Sequence, residues 1–400
     1  MTHKEPVTPS SIPLHPDVPL APVLSLDSFR QITQSPMPCV LDVPHVRLVT
    51  SGRIALGLAL RELGVGEGDV VLLPAYHSLS MVPPVLWLKA EPRFYRVDAG
   101  ANADMEDLTT QCDARVRVLV TTHYFGFPQN LTVLRAFCDQ RGIALVEDCA
   151  HAFFGAYQGK PLGSYGDYAI ASSMKFFPMY EGGVLISARR SLDAIVLVSG
   201  GKGFEAKVVL ATLERSFSYG RLMGLKAPLV LPLRIKDWLW QRIKVGQATS
   251  APLAPGSSDS DASFDTAWLD KSTSLFARFL LARLSKTRIT GLRRRNYQCL
   301  QQTLRGLPGC RPLFATLPDS VCPWLFPLLV DDADAVFARV RAMGVPVVRF
   351  AETLWPAMDI ERCVNSRHLS RHVLAFPCHQ ELNEQELNWM CAQLLKAIRP

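Results

Sequence analysis

The chain has no Cys-x-x-Cys pair among its ten cysteines, and no apolar run approaching the roughly 20 residues that a membrane-spanning helix requires. The first absence excludes the common zinc spacings and a disulfide framework, so no metal site is expected and the thiols read as reduced, mostly small core residues. The second excludes a helical membrane protein. Residues 1–22 are polar and proline-rich and do not read as a secretory leader. A cytoplasmic protein is the expectation. No internal repeat is visible, and no nucleic-acid recognition motif accompanies the net charge of +7. That charge suits an anionic substrate or an acidic surface as partner, though solvated Lys and Arg are its commoner origin, and it does not point to nucleic acid.

What is present is an alternation of helix and strand signals. Ile54, Ala55, Leu58, Ala59 and Leu63 share one face of a helix predicted over Gly52–Leu63. Short apolar strands follow at Val70–Leu73, Arg93–Val97, Val116–Thr121, Ala144–Glu147, Tyr168–Ser172 and Val184–Ser187, with a helix at Leu131–Gln140 between two of them. Continuous apolar strands alternating with helices predict an α/β fold whose mostly parallel central sheet is covered by helices on both faces. Sites in such sheets lie beyond the carboxyl ends of the strands.

The remaining chain divides by composition. Residues 1–45 form an N-terminal extension and 46–246 a large domain; 247–265, rich in Ser, Ala, Gly, Pro and Asp, read as a flexible linker or loop. Within the large domain, Lys202–Val245 mixes basic and apolar residues, a pattern compatible with a subunit interface or a peripheral membrane contact. Residues 266–400 combine a helical segment with a smaller α/β domain. Ser274–Leu304 reads as helix and carries the cluster Arg293, Arg294 and Arg295. A strand at Phe326–Val330, a helix at Ala333–Met343, a short strand at Val347–Phe350 and a last helix capped by Asn383 and Glu386 complete it.

Three clusters carry chemistry. Thr50-Ser51-Gly52-Arg53 precedes a helix, where N–H groups and the helix dipole make a seat for phosphate. Glu147-Asp148-Cys149-Ala150-His151 ends an apolar strand, and an acid there can hold a heterocyclic nitrogen protonated, turning a pyridine ring into an electron sink. Lys175 follows another strand, amid aromatics and ahead of Glu181-Gly182-Gly183. Partial desolvation of a lysine there would free its lone pair for Schiff-base chemistry. Taken singly, each has an ordinary reading: a helix cap, a strand-end acid, a surface lysine.

Together with LGVGEGDVVLLPAY, HYFGFPQ and GSYGD, their order and spacing resemble the DegT/DnrJ/EryC1/StrS family of aminotransferases dependent on pyridoxal 5′-phosphate (PLP). The resemblance covers about Ser51–Ser187 and is weaker beyond. It implies the fold type I PLP-transferase architecture and places Lys175 as the lysine holding PLP in a Schiff base and shuttling a proton. Asp148 falls on the partner of the pyridine nitrogen, and His151 where Gln is common, facing the ring hydroxyl. Gly52 and Arg53 fall on the phosphate seat, with Arg53 in place of a more usual Thr.

Two departures mark a divergent branch. The interval from Asp167 to Lys175 is two residues short, which makes Ser172 the expected phosphate-binding hydroxyl. Ser78 stands where an aromatic is expected to stack on the cofactor, leaving His77, or secondarily Tyr76, for that role. The family's Gly-Tyr-Asn-x-Arg segment is not visible. The resemblance implies a homodimer with the site between subunits, an amino donor such as L-glutamate, and a nucleotide-linked keto sugar as acceptor, in polysaccharide or glycoconjugate biosynthesis. Arg221, Arg234 or the Arg293–Arg295 cluster are candidates to meet an anionic acceptor, with a solvated helix face as their commoner reading. Amination of a lipid- or polyketide-like carbonyl, or a non-catalytic scaffold or sensor on the same fold, are the alternatives. Relatives that are dehydratases usually carry His in place of the lysine, and Lys175 speaks against that chemistry.

Overall fold

The computed structural model describes residues 16–32, 36–226, 228 and 263–398. Arg234 and the expected linker, apart from residues 263–265, lie outside the described residues.

The large sheet has seven strands: β1 (His45–Val49), β2 (Val70–Pro74), β3 (Glu91–Tyr95), β4 (Val116–Thr122), β5 (Ala144–Asp148), β8 (Tyr168–Ser172) and β9 (Gly183–Ser187). A small hairpin, β6 (Ala156–Tyr157) and β7 (Lys160–Pro161), lies between β5 and β8 in sequence. The spatial order is β1-β9-β8-β5-β4-β2-β3; β8, β5, β4, β2 and β3 run parallel, and β9 is antiparallel to both its neighbours. Side chains alternate between two buried faces, as a covered sheet demands. Val71, Leu73, Val118, Val120 and Val146 pack with α1 (Gly52–Glu62) and α2 (Val82–Trp87). Val70, Leu72, Leu119 and Leu145 pack on the opposite side with α4 (Leu131–Arg141), and that core runs on without a break to Phe326, Leu374 and Met390 of the C-terminal region. Helix α3 (Met105–Gln111) is capped by Asp104, and α4 by Asn130 at its start and by Gly142, at φ 66°, at its end.

After α5 (Lys202–Ser218), the expected single helix over Ser274–Leu304 is two helices, α6 (Leu275–Arg283) and α7 (Lys286–Thr303). The break falls at Leu284 and Ser285, both extended, and the Ser285 hydroxyl accepts the Arg288 N–H to start α7. The smaller sheet is antiparallel: β10 (Cys310–Pro312), β11 (Leu325–Val330) and β12 (Val373–Pro377). The expected strand Val347–Phe350 is reduced to one bridge, Val348 to Ala375. Pro346 offers no N–H to lengthen the ladder, and the chain leaves it at Ala351, whose φ is +57°. Helices α8 (Ala333–Ala342), α9 (Val364–His372) and α10 (Glu384–Ile398) complete this region. No helix among the described residues is long and apolar enough to cross a membrane.

Candidate active site

Register brings the three sequence clusters to one rim. Gly183 of β9 pairs with Val49 of β1 on one side and with Ser172 of β8 on the other. The start of α1 therefore sits directly above β9. A Cβ on Gly183 would lie 2.2 Å from the Ser51 carbonyl and 2.7 Å from the Gly52 nitrogen, so only glycine permits this approach. Ser51 caps α1 by accepting the Ile54 N–H. The positive end of α1 faces a cleft enclosing about 610 Å³, solvent-open mouth included. Ser51, Gly52, Arg53, Ser78, Ser80, Met81, Asp148, His151, Ser172 and Lys175 are all on its wall.

Asp148 and Glu147 close β5 with opposite tasks. Glu147 points away from the cleft, and its carboxylate accepts N–H groups from Gly163, Tyr165 and Gly166 and meets His123 Nε2 at 3.1 Å. Burial would raise its pKa, but His123 and these N–H groups together outweigh burial and hold it below the usual range. His123, Glu147 and Cys149 are close enough to ligate a metal. The Glu147 oxygens are already taken, so the cluster reads as an internal brace. Asp148 faces the cleft. It accepts the Ala150 N–H at 2.9 Å and the Thr122 hydroxyl at 3.2 Å, and burial raises its pKa despite Lys175 nearby.

Lys175 is held by a residue that sequence reasoning misread. Arg293 is wholly buried, neither a solvated face nor a substrate contact. Its guanidinium donates to the Lys175 carbonyl at 2.9 Å, to the Trp324 carbonyl at 2.9 Å and to Gln380 Oε1 at 2.9 Å, and lies over the Phe176 ring. Gln380 donates in turn to the Phe176 carbonyl. The other two arginines are occupied elsewhere: Arg294 pairs with Asp319 and Arg295 with Glu384. A run of three arginines gives no hint that only the first faces inward; the helical phase of buried Arg288, Ile289, Asn296, Tyr297 and Leu300 does.

Trp324 was also missed. Its ring lies 4.3 Å from Lys175 Nζ and stacks on His151 at 3.8 Å. The HYFGFP turn places it: Phe125, at φ +55°, accepts the Trp324 N–H, and a Cβ on Gly126 would sit 2.3 Å from the Cys322 carbonyl oxygen. Burial, with Lys175 second, pushes His151 well below its usual pKa, so it is neutral.

The expectation that His77 or Tyr76 stacks on a bound ring is corrected. His77 is fully buried beneath the cleft, stacked on Phe94, with Nδ1 3.0 Å from the Ala75 carbonyl and Nε2 accepting the Trp355 N–H. Burial lowers its pKa to about 4, which keeps Nε2 an acceptor. Tyr76 packs between Tyr124 and Phe350 in the core. Ser78, Ser80 and Met81, one turn further, reach the wall instead. Arg221, offered as a substrate contact, pairs with Glu386.

The family model described as the DegT/DnrJ/EryC1/StrS aminotransferase family matches residues 39–247, more than half of the chain. The chain belongs to this family. It is 31% identical over 150 residues to GDP-perosamine synthase of Vibrio cholerae, covering 37% of this chain and 41% of that one. It is equally 31% identical over 158 residues to the UDP-N-acetyl-3-dehydro-alpha-D-glucosamine 3-aminotransferase of Acidithiobacillus ferrooxidans, 38% of this chain and 42% of that one. The matched region thus spans about two-fifths of these curated relatives. A Streptococcus pneumoniae protein solved in its PLP form shares the fold, with a TM-score of 0.66 and 14% identity over 95% of this chain and 98% of that one.

Proposed function

We propose that this chain is a PLP-dependent aminotransferase that moves an amino group from an amino acid, L-glutamate foremost, to the keto carbon of a nucleotide-linked sugar. The observation that carries this reading is one cleft with Lys175 on its wall, buried Asp148 at the end of β5, and the α1 N-terminus with Ser172. The donor set fits the cofactor: a helix N-terminus and hydroxyls for a phosphate, an acid for a pyridine nitrogen, an amine for a carbonyl carbon. The amino-sugar names of the two curated relatives support the acceptor class.

When bound, PLP supplies an electrophilic carbon for amine exchange and a ring that takes up the electron pair left when the substrate Cα–H bond breaks. The chain supplies the rest. The Lys175 amine holds the proton leaving Cα and returns it, and Arg293 and Gln380 fix the backbone from which that amine projects. Asp148 keeps the ring nitrogen protonated, and a cationic partner there favours its charged form against the burial that opposes it. Gly52, Arg53 and Ser172 seat the phosphate. Neutral His151, locked against Trp324, is available to the ring hydroxyl. We place the same site at the boundary of a homodimer, for which exposed Leu26, Leu275 and Phe279 offer apolar surface.

The test is an absorbance spectrum of the purified protein with PLP, before and after L-glutamate. A visible band that is lost on adding glutamate is expected. A protein that takes up no PLP overturns the proposal, and a band indifferent to every amino acid removes the amine-transfer step.

A further inference from the structure

Lys175 opens onto two cavities. The second lies on the far side of Met174, Lys175 and Phe350 from the phosphate-binding rim. Its walls are largely apolar, with Leu20, Leu79, Trp324, Phe337 and Val348 among them. Two arginines interrupt this surface, Arg215 of α5 and Arg349.

The two are not equivalent. Arg349 is committed: its guanidinium pairs with Asp334 at 2.6 Å and stacks over Phe337 at 4.4 Å. Arg215 has no hydrogen bond or ion pair from its side chain among the described residues. It is nonetheless half-buried, and burial, its main influence, lowers its pKa. Nearby arginines are all satisfied: Arg221 by Glu386, Arg288 by Glu381, and Arg293 by carbonyl oxygens. Buried His379 donates to the Pro19 carbonyl; burial foremost, with Arg293, Arg215 and Arg221 adding to it, holds its pKa down. A desolvated guanidinium without a counter-ion is costly unless an anion completes it.

We infer that Arg215 is an anion-binding subsite of this second cavity, taking a carboxylate or phosphate of a substrate whose reacting carbon reaches Lys175. This rests on the aminotransferase reading. It adds to that reading a division of labour: one cavity seats the cofactor, and the other orients the substrate by its charged end while the apolar walls cover its body. The anion has two sources, the carboxylate of the amino donor and the phosphates of a nucleotide-linked acceptor, and they are separable.

The experiment uses full-length wild type, Arg215→Met and Arg215→Lys. One arm follows the visible band of the PLP-loaded protein against L-glutamate concentration. The other titrates uridine diphosphate by calorimetry, with no need for turnover. Losing a charge-assisted contact should weaken one of the two by about ten- to a hundredfold in Arg215→Met, with partial recovery in Arg215→Lys. Weakening in the first arm assigns the donor carboxylate, and in the second the acceptor phosphates. The visible band before addition should be unchanged. Wild-type affinity for both probes in Arg215→Met, or a wild type that binds neither, overturns the subsite. If Arg215→Met fails to fold, an unchanged affinity in Arg215→Lys does the same. A wild type that takes no PLP but loses diphosphate affinity on substitution overturns the amine-transfer reading and leaves the anion site standing.

Discussion

At the scale of single residues, the site divides between groups that react and groups that hold them. Lys175 is half-buried, with its amine over the Trp324 ring. Its removal leaves no comparable amine on the wall of the rim cavity. Lys175→Ala should abolish the visible band and turnover while thermal unfolding stays within a few degrees of wild type, because no core contact is lost. Normal turnover would remove Lys175 from the chemistry. Asp148→Asn asks a different question. Asparagine keeps the shape and can still accept from Ala150, but it offers no charge to a ring nitrogen. PLP should therefore still bind while the rate falls by roughly a hundredfold or more, the span that proton-transfer groups supply. An unchanged rate would mean that Asp148 only braces the loop.

At the scale of elements, the reactive loop after β8 depends on α7, more than a hundred residues away in sequence. Arg293 joins the carbonyls of Lys175, Phe176, Pro323 and Trp324 to Gln380, tying the lysine loop to the lead-in of β11 and to the chain after β12. Arg293→Ala leaves several buried acceptors without donors at about 1–3 kcal/mol each. A loss of at least 3 kcal/mol in denaturant unfolding is expected from this one change, on the order of a multi-acceptor penalty. Arg293→Lys keeps the charge but not the planar fork, and should recover only part of that stability. A readout beyond stability separates positioning from bulk packing: Arg293→Lys should bind PLP more weakly even where it is fully folded. Wild-type PLP affinity in that variant would confine Arg293 to a structural role.

At the scale of the whole molecule, the sheet and its rim were legible because their signals are local. Apolar runs such as Val70–Pro74 and Tyr168–Ser172 declare buried strands, and Ser51-Gly52 declares a helix start. His77 was misplaced because chain direction at a turn depends on Phe94 and Trp355, distant partners that no spacing encodes. Arg293 and Trp324 were missed for the same reason: their work is to join segments. Glu181 is another such tie, and it makes stability depend on pH. Its carboxyl accepts from Thr273 and from Ser274, linking the turn before β9 to the start of α6, and burial raises its pKa from 4.5 to about 7. Below pH 4.5 the group is protonated whether folded or not; between there and about 7 only the unfolded chain gives up the proton, so stability drains away as pH rises. Buried neutral His77, His151 and His379 act oppositely, since their lowered pKa values cost stability as the medium is acidified. The raw profile mixes both, and a difference profile isolates Glu181. Glu181→Gln should unfold later than wild type at pH 8, by on the order of 3 kcal/mol. That advantage should shrink to near zero by pH 4.5, while the histidine contribution cancels. A difference that does not change with pH would mean that Glu181 is ionised in the native protein throughout, with the hydroxyls of Thr273 and Ser274 sufficing to hold its charge.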